Sequence, residues 1–237
     1  MRLAASLVWL QVGPLACRAE SLGVEVPRGG PESVSVEDLQ RDAFALRGPG
    51  GPRLPGSPAH RAVSGHFAQR LQQMRMVPGF DRSWEAPLEA GGLLVCGRKD
   101  GAGPGSIVVL ARDPGAGHVA GPVDLAALIS LAKAHDTRER PRASLVLCGQ
   151  FGGDVPPTLG SAPPVPVAER VRPVVLVTAI AAGESGWMDI GTLGSGGATR
   201  AWGGGPGALP EGLETVDHRL VAQGVVKLFD ALSQPPP

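Results

Sequence analysis

The sequence predicts an α/β domain: a three-layer α/β/α sandwich around a mostly parallel, mixed sheet. Three observations carry this. The runs "SIVVLAR", "RASLVLCG" and "RPVVLVTAI" are continuously apolar at strand length. Strands without polar alternation must be covered on both faces, which favours a parallel sheet under helices. A helix-period segment, "GPVDLAALISLAKAHD", separates the first two runs, and other helix-period segments flank the set. Finally, 237 residues are ample for one core.

The elements follow in chain order. "MRLAASLVWLQVGPLACRAE" has one positive charge, an apolar stretch from Leu3 to Ala16, and then small residues. It reads as a secretory signal over residues 1–19, cleaved after Ala19, and is too short for a comfortable membrane span. Cys17 offers a second reading, a lipoprotein signal with a lipid anchor, although Pro14 stands where that signal wants Leu. Residues 20–33 form a linker, 34–232 the single domain and 233–237 a tail.

Within the domain, "SVEDLQRDAFAL" begins with Ser35 as N-cap and Asp38 three residues on, like a capping box. Val36, Leu39, Ala43 and Leu46 share one face of that helix. The next helix, "SPAHRAVSGHFAQRLQQMRM", is capped by Ser57, has Pro58 in its first turn, and carries Val63, Phe67, Leu71 and Met74 as its stripe. An edge strand is expected over Trp84–Glu89 and a short strand at "GGLLVCGRKDG". The helix from Gly121 turns Leu125, Leu128 and Ala132 inward. Residues 155–171 and 191–210 read as Pro-rich and Gly-rich loops. A last helix starts near Thr215, with Val221, Val225, Leu228 and Leu232 inward.

Composition narrows the function classes. Lys plus Arg and Asp plus Glu are each 22, so no basic excess is available for nucleic acid or an anionic membrane. Asn is absent, which excludes N-glycosylation sequons. Three cysteines make no disulfide framework. Cys96 and Cys148 each close a strand-like run and read as buried free thiols, with a bridge as the alternative if the chain is exported. "GESGW" lacks the last Gly of a nucleophile elbow at Ser185, and "GAGPGS" lacks the Lys of a phosphate loop. Trp84, Trp187 and Trp202 lie in or near loops, where they line a pocket or simply pack. His60 and His66 are six apart on one helix, about 120° around its axis, and cannot share a ligand. They read as surface residues, and His135 and His218 as helix-end residues near solvent.

In open sheets of this type ligands sit beyond the carboxyl ends of the strands. The order of elements there, with "RLPGSPAHRAVSGHFAQRLQQM", "SIVVLAR…DLAALISLAKA", "SLVLCG" and "LPEGLETVDHRLVAQGVVKLFDAL", resembles the co-catalytic di-zinc aminopeptidases, the group that includes secreted bacterial aminopeptidases, glutamate carboxypeptidase II, glutaminyl cyclases and the transferrin receptor ectodomain, over roughly Ser35–Leu232. The resemblance implies a zinc-exopeptidase-like fold. It also implies two zinc ions about 3.5–4 Å apart, held by five ligands, with a glutamate as base. Carried over residue by residue, the first His falls on Arg112. The bridging Asp falls near Ala120, the paired glutamates on Phe151 and Gly152, and the next Asp near Ile180. The loop that should hold the last His contains none. A guanidinium cannot coordinate zinc.

The expectation is therefore a secreted or periplasmic pseudo-peptidase with no cofactor, which binds a peptide or protein partner. The candidate binding residues are Arg112, Asp113 and His118, at the old catalytic mouth. Arg112 there either grips a carboxylate with two parallel hydrogen bonds or pairs with Asp113 or another nearby acid. The alternative is a divergent metallo-exopeptidase that uses zinc through relocated ligands, Asp113 and His118 with Asp124, Asp154 or Glu184 nearby.

Overall fold

The computed structural model describes residues 29–48, 53–80, 82–88, 91–103, 105–113, 118–136, 140–152, 171–178, 180–189, 200–204 and 209–233. The expected signal, Cys17, the 155–170 loop and Asp154 lie outside them. The elements are α1 (Val36–Arg47), α2 (Pro58–Gln73), β1 (Val77–Pro78), β2 (Glu85–Pro87), β3 (Leu93–Lys99), β4 (Ser106–Asp113), α3 (Ala120–Ala134), β5 (Ser144–Phe151), β6 (Val171–Thr178), β7 (Ser185–Asp189), β8 (Arg200–Gly204) and α4 (His218–Ser233).

The strands form one mixed sheet in the order β1-β3-β5-β4-β6-β8-β7, with β2 also on β3. Its centre is parallel: β5 with β4, β4 with β6, and β6 with β8. The antiparallel strands lie outside this centre, β3 on β5 and β7 on β8. The expected α/β class is therefore the observed one. Alternate residues along β4 and β5 supply two clusters. Val109, Ala111, Leu145 and Leu147 join the larger one, which all four helices fill. Val108, Leu110, Val146 and Cys148 join a smaller one on the opposite face with Phe80, Ala86, Leu94 and Cys96. Position 149 needs glycine, because a Cβ there would lie 2.9 Å from each of Leu125, Phe151 and Phe67.

The caps follow the sequence. Ser35 accepts the Asp38 N–H and Ser57 accepts the His60 N–H. Asp38 does not close the capping box; its carboxylate binds Arg41 and Lys133, each at 2.6 Å. Between α1 and α2, buried Asp42 accepts from Arg70 at 2.9 Å and from His66 at 3.3 Å. Burial alone would raise the Asp42 carboxyl, but these hydrogen bonds and the Arg70 charge outweigh it and hold the group below the ordinary range.

Several expectations are corrected. β7 and β8 arise within a Gly-rich stretch, β8 inside the expected 191–210 loop. Trp187 and Trp202 face each other across these two strands, edge to face at 5.1 Å. The last helix starts at His218, because the Asp217 carboxylate accepts the N–H groups of Arg219 and Leu220. Cys96 and Cys148 are not free thiols: they sit opposite each other on β3 and β5 and form a disulfide. Among the described residues no helix is long and apolar enough to cross a membrane.

His60, His135 and His218 are buried rather than near solvent, and His66 is tied to Asp42. Burial, with help from the Lys99 charge, pushes the His135 imidazole from 6.5 down to about 4. The unfolded chain thus binds the extra proton more readily than the folded one, so stability is lost as pH falls from about 6.5 towards 4. Roughly 3 kcal/mol rides on this group. Urea unfolding at stepped pH should show that loss in the wild type and a flatter profile for His135→Gln.

Candidate functional site

The parallel strands bring their carboxyl ends together. Arg112 lies beside Gln150, and Asp113 beside Phe151, in the β4–β5 register. Because side chains alternate along a strand, Arg112 falls on the face of Leu110 and Asp113 on the helix-covered face of Ala111. Asp113 therefore does not pair with its neighbour. Its carboxylate binds Arg53 at 2.5 Å, with both side chains buried. Arg53 also donates to the carbonyl of Arg47, the last residue of α1. One guanidinium thus ties the carboxyl end of α1 to the end of β4.

His60 completes this corner. Its Nδ1 accepts the Gly56 N–H and its Nε2 donates to the Phe151 carbonyl, both at 3.4 Å. Its ring stands edge-on to Phe151, which in turn meets Phe67 at 5.7 Å. Asp124 is buried in α3 and accepts the Ile180 N–H at 3.0 Å, fastening α3 to the segment after β6. Arg53 and His60 were missed by the sequence reading. The signal for His60 was present: positions 60, 63, 67 and 71 lie on one helical stripe.

Of the sequence-predicted residues, Arg112 is half-buried, and its Nε has no hydrogen-bond partner among the described residues. Burial lowers its pKa, which marks an environment that disfavours the charge. Asp113 is committed to Arg53, and His118 is exposed just before α3. The expected trio thus divides between two faces and solvent.

The side chains at the positions the resemblance assigns to zinc do not fit the metal. Arg112, Ala120 and Ile180 offer no lone pair for it, and Phe151, where the resemblance places the base, cannot take a proton. Position 152 has φ +72°, a left-handed backbone that favours glycine over glutamate. Among the described residues no three His, Cys, Asp or Glu side chains gather as a metal site. Ser185 carries no hydrolase arrangement either. Its buried Oγ has no hydrogen-bond partner among the described residues, and a Cβ on Gly224 of α4 would lie 2.5 Å from it.

No family model matches the sequence, and no curated protein matches it. Solved structures do share the fold. Glutaminyl cyclase from Porphyromonas gingivalis superposes with a TM-score of 0.60 at 11% identity, covering 87% of this chain and 99% of its own. Glutaminyl cyclase from Bacteroides thetaiotaomicron gives 0.59 at 11% identity, over 89% of this chain and 100% of its own. A Zn-dependent exopeptidase from Parabacteroides distasonis gives 0.57 at 13% identity, over 89% and 100%. The chain therefore has the fold of these cyclases and exopeptidases.

Proposed function

We propose that this chain is an exported binding module on a peptidase-like fold, without metal-dependent peptidase chemistry. One observation carries the reading: carried over from the resemblance, the zinc ligands fall on Arg112 and Gly152 and near Ala120 and Ile180, and the base on Phe151, and none of these side chains is a metal ligand or a base. Asp113, at the carboxyl end of β4, is held by Arg53 and acts as a strut. The Cys96–Cys148 bridge supports export, since disulfides persist in oxidising compartments.

The ligand this site suits is a peptide carrying a free carboxylate. Arg112 has an Nε without a partner among the described residues and a charge that burial disfavours. An anion on its terminal nitrogens would relieve the cost of that charge. Titration with short peptides ending in a free carboxylate or an amide tests this. The carboxylate form should bind, the amide about tenfold more weakly, and Arg112→Ala should erase the difference. Full binding by Arg112→Ala would overturn the carboxylate role.

A further inference from the structure

At the opposite end of the sheet, by the amino ends of β4 and β5, lies a cavity of about 260 Å³. Ile107, Leu145 and Phe229 give it apolar walls, and His135 lines it with Arg140 and Arg142. It is remote in the fold from the strand carboxyl ends, and nothing in the reading above uses it. His135 is 6% exposed, and its Nε2 is buried without a hydrogen-bond partner among the described residues. The ring rests on Phe229 at 4.5 Å. A buried imidazole nitrogen without a partner is costly unless a ligand or water supplies one.

The charged side chains that line it, Arg140 and Arg142, are both cationic. Arg140 and Arg142 are exposed, and neither forms an ion pair among the described residues. The carboxyl end of α3 nearby would by itself repel an anion. Its last carbonyls are already engaged, however: that of Ala134 by the Gly30 N–H and that of His135 by the Lys99 ammonium. Two guanidinium groups over an apolar floor complement a carboxylate on a short hydrocarbon. At ~30 Å³ per water-sized group, the volume corresponds to roughly eight or nine such groups.

We infer that this cavity is a binding site for a small amphipathic carboxylate, with its anionic head at Arg140 and Arg142 and its hydrocarbon against Ile107, Leu145 and Phe229. Octanoate is a suitable probe, and its neutral amide is the control. Titration followed by amide NMR should give saturable one-to-one binding at millimolar concentration, with shifts centred on Leu145 and Phe229. The amide should bind roughly tenfold more weakly, and so should octanoate to the Arg140→Ala/Arg142→Ala variant, whose changes are on exposed residues. Leu232→Trp, at the half-buried end of α4 that also lines the cavity, should block entry. Absence of saturable binding, equal affinity for the amide, or unchanged affinity in the double-arginine variant would each overturn the inference.

Discussion

Asp113→Ala is expected to destabilise the fold by about 3–5 kcal/mol, because it strands the Arg53 guanidinium in the interior. The two side chains are 5% and 3% exposed and meet at 2.5 Å. The Arg47 carbonyl would remain as a hydrogen-bond partner for Arg53, but it carries no countercharge. Arg53→Ala should cost a similar amount from the other side, leaving a carboxylate behind. Removing both charges with shape-filling apolar residues, Arg53→Met with Asp113→Leu, should recover most of the loss, since the desolvation cost of both ions disappears too. Urea unfolding of the four proteins measures each loss and the recovery. Single variants within about 1 kcal/mol of the wild type would mean that the pair is solvated and weak, as surface pairs are.

Breaking the Cys96–Cys148 bridge is expected to cost about 4 kcal/mol, by Cys96→Ala/Cys148→Ala or by reduction. The figure follows from the loop of 52 residues that the bridge closes in the unfolded chain. Both cysteines are fully buried in the smaller cluster, so the alanine pair also loses packing. The measurement is the urea midpoint with and without reductant, alongside a thiol titration of the denatured protein without reductant. A midpoint insensitive to reductant, with both thiols titrating, would restore the free-thiol reading.

The parts of the fold that depend on local chemistry were legible in the sequence. Ser35 and Ser57 cap α1 and α2 where their types and spacing say they should. The continuous apolar runs are β4, β5 and β6, at the parallel centre of the sheet. Elements whose stability comes from their neighbours were not legible. β8, "RAWGG", has two glycines and no apolar run, and it is a strand because β6 and β7 flank it. The disulfide depends on register between strands 52 residues apart in the chain, and spacing along the chain cannot give that.

The site divides the same way. The strand ends were correctly located, and Arg112 and Asp113 do stand there. Their adjacency in sequence suggested a pair, but the pleat sends them to opposite faces. The true partner of Asp113, Arg53, lies 60 residues away in a loop. His60 was assigned to the surface although it shares the apolar stripe of α2, and its carbonyl partner on Phe151 could be found only in three dimensions.

The metal content of the purified protein tests the central claim most directly. Elemental analysis after growth with added zinc should find far less than one equivalent of zinc, manganese or cobalt per chain. On the family resemblance, Arg112 and Gly152 fall where a di-zinc peptidase keeps two ligands and Phe151 where it keeps its base, and none of these side chains can coordinate or act as the base. One or two equivalents of metal, with hydrolysis of a peptide substrate lost on chelation, would contradict the account and identify a peptidase with relocated ligands.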